Sequence, residues 1–498
     1  MDIIQNFIGG VAVTSQSPRR QPVFNPATGE EVASLPLSTA GEVGDAVAAA
    51  KAALPAWAAL PPLKRAKLMF KYKALLEARA GDIARAISAE HGKTHDDALG
   101  EVTRGIEVVE YACGVPSELR GDYSRNVGPS IDTYSQRQPL GVVAGITPFN
   151  FPAMVPMWMF PMAVACGNTF VLKPSERDPS APMLIAELFA EAGFPAGVMN
   201  LVHGDKEAVD ALLDHPDVRA VSFVGSTMIA EYVYKRGTGN GKRVQALAGA
   251  QTHMIIMPDA DMDKVADALM GAGYGSAGER CMAISMAVPI GDETADKLVD
   301  VLAPRVRALK IGPATDPDAE MGPLVTRQHL EKVEGLIAKG VEEGANLVVD
   351  GRGFKAQGYE NGYFTGGSLF DNVTPEMTIY REEIFGPVLC VLRAQSYEQA
   401  VGLIDAHEYG NGTAIFTRDG DAARDFADRI QVGMVGINVP IPVPVAYHSF
   451  GGWKRSAFGD YGMYGPEGVR FYTHLKTVTS RWPAGIKTGA VFNFPTND

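Results

Sequence analysis

The run Gly275-Ser276-Ala277-Gly278-Glu279-Arg280-Cys281-Met282-Ala283 sets one cysteine behind small residues and directly after an arginine. Thiolate chemistry needs room for a substrate and a positive surrounding that favours the ionised form. The same nine residues also read as a small buried Cys in a Gly-rich connection, so the segment alone leaves nucleophile and core residue both open. Further chemistry-bearing types stand elsewhere. Asn150 lies in Thr147-Pro148-Phe149-Asn150-Phe151-Pro152, just after the apolar run Val142–Ile146. Its amide can donate to a developing oxyanion, or it can cap a following helix with Pro152 in the first turn. Lys173-Pro174-Ser175-Glu176-Arg177 ends a second apolar run. An acid at such a strand end accepts from ribose hydroxyls and favours NAD over NADP, with Lys173 donating to the same ribose; a solvated polar turn is the plain alternative. Gly225-Ser226-Thr227 closes a third run and can turn N–H groups toward phosphate, although it is not a GxGxxG. Glu382-Glu383-Ile384-Phe385-Gly386-Pro387 offers acids for a second ribose, or surface charge.

The elements that must carry these residues alternate. Residues 22–38 read as short strands and turns. Helical spacing begins near Glu42 and is expected to stop at Pro55. Residues 62–91 read as an amphipathic helix in two pieces divided at Gly81-Asp82, and 96–113 as a third helix. The period changes to two at 133–138, which fits a strand in a projecting arm. From Val142 strand and helix alternate up to Leu247, and again from Gln251 to Ile437. That order predicts parallel sheets covered on both faces, with ligands at the carboxyl ends of the strands. The expected fold class is α/β with two such domains.

Composition narrows the function. With 498 residues there is material for two to four domains at roughly 150 residues each. A content of 46% hydrophobic and 21% charged residues is that of a soluble globular chain. The formal charge of -13 argues against a nucleic-acid surface, which needs clustered Lys and Arg. Four scattered cysteines suit a reducing compartment, so a cytoplasmic location is expected, and no His/Cys cluster has zinc spacing, so no metal is expected. The opening residues show no basic region followed by an apolar one, so no signal peptide is expected. The uncharged stretch from Gln138 to Leu172 is long enough for a membrane, but its five prolines make it a buried core segment.

Taken together, Thr-Pro-Phe-Asn-Phe-Pro, Lys-Pro-Ser-Glu, Phe-Val-Gly-Ser-Thr, the Gly-rich segment before Cys281, Glu-Glu-Ile-Phe-Gly-Pro and Ser449-Phe450-Gly451-Gly452-Trp453-Lys454 resemble the aldehyde dehydrogenase superfamily. The resemblance implies a Rossmann-like NAD-binding domain (1–121 and 141–250) and a catalytic domain (251–450), each of three α/β layers. It also implies an oligomerisation arm and tail (122–140 and 473–498) and a return segment (451–472). It implies Cys281 as nucleophile and Asn150 as oxyanion donor. It assigns Thr147, Phe149, Lys173, Glu176, Arg177, Gly225 and Ser226 to NAD, with Glu383 and Phe385 on the nicotinamide side.

One departure carries weight. Hydrolytic members have Glu-Leu-Gly-Gly, whose glutamate activates water; here Leu247-Ala248-Gly249-Ala250 stands in its place. Leucine takes no proton, so a thioester on Cys281 would meet water without a base, whereas a thiol acceptor needs less help. With Gly-Glu-Arg-Cys-Met-Ala, this pattern looks like the CoA-acylating methylmalonate-semialdehyde dehydrogenase family, which also acts on malonate semialdehyde. That likeness implies coenzyme A as co-substrate, a homo-oligomer, and Arg104 and Arg280 as ligands of a semialdehyde's carboxylate. The alternative is a hydrolytic NAD-dependent enzyme with another base, such as Glu279.

Overall fold

The computed structural model describes residues 2–483. The end of the expected tail, 484–498, lies outside the described residues. Two large sheets carry the chain, each built where apolar runs are long enough to be buried on both faces. In the first, five parallel strands stand in the order Arg243–Leu247, Val218–Val224, Val142–Ile146, Thr169–Lys173, Met199–Leu201. Counted along the chain this is 5-4-1-2-3, so the winding reverses between Val142–Ile146 and Val218–Val224. A crevice opens at the carboxyl end of such a reversal. Antiparallel edges close both sides: Ala457–Phe458 on one, Asn6–Ile8 and Val11–Val13 on the other. These short edge strands have no sequence period to announce them. The return segment thus contributes a strand to this sheet.

The second sheet has the order Asn346–Val349, Ser368–Asp371, Val388–Val391, Ile284–Pro289, Thr252–Ile256, Gly412–Phe416, Met434–Ile437. All neighbouring pairs are parallel except the first. A third sheet pairs Tyr123–Gly128 with Ile131–Pro139, and the latter with Thr473–Arg481 over nine residues. The arm and the strand-like tail therefore join within one chain.

Two expectations are corrected. The first helix runs Ala40–Ala59 with Pro55 inside it. The carbonyl four residues back belongs to Lys51, an exposed position where solvent can satisfy it. The next two helices, Pro62–Ala78 and Ala80–His91, break at Arg79 rather than at Gly81-Asp82, and Asp82 becomes a first-turn acid of the second. The helix Met154–Ala165 is buried along its whole length and contains Pro161. Trp57 donates from Nε1 to the carbonyl of Val164 at 3.0 Å, and Tyr72 donates to that of Ile185 at 3.0 Å, so the aromatic core also satisfies its polar tips.

Candidate active site

The carboxyl ends of the first sheet face the amino ends of the second across a cleft of about 450 Å³. Phe149 and Asn150 follow the strand Val142–Ile146, and Arg177 follows Thr169–Lys173. Gly225 and Ser226 follow Val218–Val224, with Ala248 and Gly249 after Arg243–Leu247. From the other side come Cys281, which precedes Ile284–Pro289, and Glu383 and Phe385, which precede Val388–Val391. The rule that ligands sit at carboxyl ends therefore holds for the first sheet only. The second sheet presents its chemistry from its amino ends.

The nucleophile loop is tightly built. A helix ends at Tyr274 and a single 3-10 turn spans Gly275–Gly278. Ser276 and Ala277 take left-handed backbone (φ 53° and 52°), which costs about 1–2 kcal/mol each. Gly278 is also left-handed, and a Cβ there would run into the Gly386 carbonyl. The side-chain amide of Asn411 donates to the carbonyl of Cys281 at 3.2 Å. Cys281 is half-buried; the other three cysteines are buried. Burial pushes its thiol up to about 12, the carboxylate of Glu383 adds to that, and local backbone N–H groups and Arg280 oppose it. The expected positive surrounding is thus outweighed.

Arg280 explains why. Its guanidinium pairs with Asp97 at 2.7 Å and donates to the Gly271 carbonyl, so it lies against the loop rather than among the cleft-lining residues. Arg104 is likewise engaged, with Glu107 at 2.6 Å and with the carbonyls of Val443 and Pro444 at 3.3 and 3.0 Å. The hydroxyl of Tyr464 donates to the Pro444 carbonyl at 2.9 Å, the same carbonyl that Arg104 reaches. Its ring packs with those of Phe450 and Trp158.

Asn150 does not cap the following helix, whose N-cap is Ala153 with no side-chain bond. It is one of the residues that line the cleft. Lys173 and Glu176 pair at 3.0 Å. Burial works against the Glu176 carboxylate, but Lys173 and Arg177 outweigh it and hold the group below its usual range. Arg177 stacks over the Phe149 ring at 4.8 Å. Ser226 is the N-cap of the helix Thr227–Gly239 and makes no side-chain cap bond, so that end has unspent N–H groups. Buried Thr147 has a hydroxyl without a partner among the described residues. An acid for ribose, an uncapped helix end for phosphate and an orphaned hydroxyl fit a dinucleotide.

Other functional candidates come from contacts that sequence does not announce. Thr326, Gln328, His329 and Lys332 form one cleft wall. Burial pushes the Glu383 carboxyl up to about 7, against the Ala250 N–H that it accepts at 3.0 Å. Glu279 is fully buried beside His91 and His329 and accepts from the Val325 N–H. Burial raises it to about 8 and depresses both imidazoles, so the three neighbours are uncharged near neutral pH. Glu279 is not among the cleft-lining residues, which removes it as the alternative base. Leu247 packs in the same apolar cluster that Cys281 borders.

The pattern of the aldehyde dehydrogenase family matches residues 12–478. The chain belongs to the aldehyde dehydrogenase family. Within it, the chain is 63% identical over 483 residues to the malonate-semialdehyde dehydrogenase of Pseudomonas aeruginosa, covering 97% of each. It is 49% identical to the acylating methylmalonate-semialdehyde/malonate-semialdehyde dehydrogenase of Rattus norvegicus, over 96% of this chain and 89% of that one. The crystal structure of the methylmalonate-semialdehyde dehydrogenase of Oceanimonas doudoroffii superposes with a TM-score of 0.96 at 61% identity, covering 97% of this chain and 99% of that one. A Sinorhizobium meliloti 1021 structure complexed with NAD superposes with a TM-score of 0.97 at 59% identity, covering 98% and 99%.

Proposed function

We propose that this protein oxidises malonate or methylmalonate semialdehyde with NAD and transfers the acyl group to coenzyme A, with loss of carbon dioxide. The observation that carries the acyl-transfer half is Leu247, a buried apolar side chain at the sequence position where a hydrolytic member has its base.

Cys281 adds to the aldehyde carbonyl as thiolate, and the oxygen that gains charge is met by the Asn150 amide and a backbone N–H. Lys173, Glu176 and Arg177 hold the adenosine ribose, Gly225 and Ser226 the pyrophosphate, and Thr147 and Phe149 the adjoining wall. Glu383 and Phe385 flank the nicotinamide side, whose bound cofactor supplies the hydride acceptor. Oxidation leaves a thioester on Cys281. Its acyl group carries a β-carboxyl, so loss of carbon dioxide gives an enolate that the thioester carbonyl and the same donors stabilise. Glu383 is the carboxyl group among the described cleft residues, and its assigned ribose partner removes it from water activation. The enolate takes a proton at its α-carbon to give an acetyl or propionyl thioester, and coenzyme A thiolate then attacks the thioester carbonyl and expels the Cys281 thiolate, giving acetyl-CoA or propionyl-CoA. Arg104, which shares the Pro444 carbonyl with Tyr464, receives the substrate carboxylate. For Arg280 the same role requires exchange of Asp97 for substrate.

The arm supports a homo-oligomer: Leu475, Tyr123 and Trp482 are exposed on it, and the strand Met434–Ile437 has a free edge. Four free cysteines suit the reducing cytoplasm. Among the described residues no single helix is long and apolar enough to cross a membrane.

The test is stoichiometry with coenzyme A present. The reading predicts one acyl-CoA and one carbon dioxide or bicarbonate per NADH. Free carboxylic acid in equal amount to NADH would replace it with the hydrolytic reading.

A further inference from the structure

We propose that Lys93 and Glu101 are positioning residues for Asn150, a buried ion pair that fixes the short turn from which the oxyanion donor projects. The inference rests on the reading of Asn150 as that donor. Both side chains are fully buried and pair at 2.9 Å. Lys93 Nζ also donates to the carbonyl of Asn150 at 2.6 Å. Glu101 Oε2 holds Lys93, while its Oε1 accepts the N–H groups of Ala153 and Met154 at 2.9 and 3.1 Å. The pair thus grips both ends of the turn 150–154. Lys93 also lies over the ring of Phe151 at 4.5 Å, inside the same turn.

A purely structural need would be met more simply. The N-cap residue of the helix Met154–Ala165, Ala153, makes no side-chain cap bond, and a Ser, Asp or Asn at 153 would supply one locally. The chain instead carries Pro152-Ala153 there and brings in a charge from the helix His95–Cys113 and another from residue 93. Buried ion pairs contribute little net stability compared with apolar packing, because both charges lose water. What this pair does provide is direction: four hydrogen bonds that set where the Asn150 backbone stands relative to the nucleophile loop. The helix His95–Cys113 also carries Asp97, whose carboxylate holds Arg280 beside Cys281. Asp97 and Glu101 are four residues apart on one face, so donor and nucleophile are referred to the same rigid element.

The experiment is a double-mutant cycle on the NADH burst, using the full-length enzyme with NAD and semialdehyde. Asn150→Ala should slow the burst about a hundredfold to a thousandfold. Lys93→Met should slow it about tenfold to a hundredfold, through misplacement of the donor, with the Kd for NAD unchanged. In the Asn150→Ala background, Lys93→Met should change the burst less than about twofold, because the group it positions is gone. Multiplied effects would overturn the inference and leave Asn150 as donor, as would a parental burst in Lys93→Met. A parental burst in Asn150→Ala would overturn the donor reading itself. If Lys93→Met fails to fold, Lys93→Met with Glu101→Gln, which leaves no unpaired charge, is read through the same cycle.

Discussion

Cys281 must lose a proton in surroundings that oppose its ionisation, since burial and Glu383 together push its thiol up to about 12. In the free enzyme its thiolate fraction therefore rises about tenfold per pH unit through the neutral range. Alkylation of Cys281 by iodoacetamide should climb at that slope from pH 7 to pH 10, read by mass spectrometry against buried Cys113, Cys166 and Cys390. A plateau below pH 8 would contradict it. Two residues away, Glu279 binds its proton more tightly when folded than when unfolded, with a folded value of about 8. The sign follows: below the unfolded value both states are protonated and the residue costs nothing. Between the two values only the unfolded state ionises, so stability falls as pH rises. Glu279→Gln should leave Tm unchanged near pH 4 and raise it increasingly toward pH 8, measured by calorimetry. Cys281, Asn150, Lys173 and Glu176 stand out in sequence as candidates because each lies in or beside a motif with its own residue pattern at the end of a strand. Lys93, Glu101 and His329 do not, since their partners lie 57, 52 and 56 residues away in Asn150, Ala153 and Phe385.

At the scale of elements, the helix His95–Cys113 organises the site. Asp97, Glu101 and Arg104 recur at four and three residues, one face of a helix, and reach the nucleophile loop, the oxyanion turn and the 443–444 carbonyls in turn. The apolar spacing reveals this helix in sequence, but of its charged face only Arg104 is singled out there. Arg104→Leu should lower kcat/KM for the semialdehyde about tenfold to a hundredfold and leave an aldehyde of equal length without a carboxylate nearly unaffected. Equal losses on both would remove Arg104 as a substrate ligand. The strand Arg243–Leu247 sets the other limit, because its last residue occupies the place of the missing base. Leu247→Glu should give coenzyme A-independent acid formation that the parent lacks, with a lower Tm from burying a carboxyl group. The central strands were readable almost to the residue, as unbroken β-branched and apolar runs. The edges were not: Ala457–Phe458 and Asn6–Ile8 are too short to show a period and are defined by the neighbours they pair with.

The whole molecule sets two doubly wound sheets across one cleft, so that in the proposed function one supplies the cofactor-binding turns and the other the nucleophile. Strand and helix alternation announced both sheets, but not that the second faces the cleft with its amino ends; that follows from how the two cores dock. The third sheet stands apart, with Leu475 58% exposed on the strand Thr473–Arg481. Leu475→Asp should shift the protein toward smaller species in sedimentation velocity without loss of NAD binding, if this face meets a second copy. The central claim concerns the fate of the thioester, and rapid mixing without coenzyme A tests it most directly. With NAD and semialdehyde in excess, the account predicts a fast burst of one NADH per Cys281 followed by a much slower phase, and sustained turnover once coenzyme A is added. Sustained NADH formation at the burst rate without coenzyme A would contradict it.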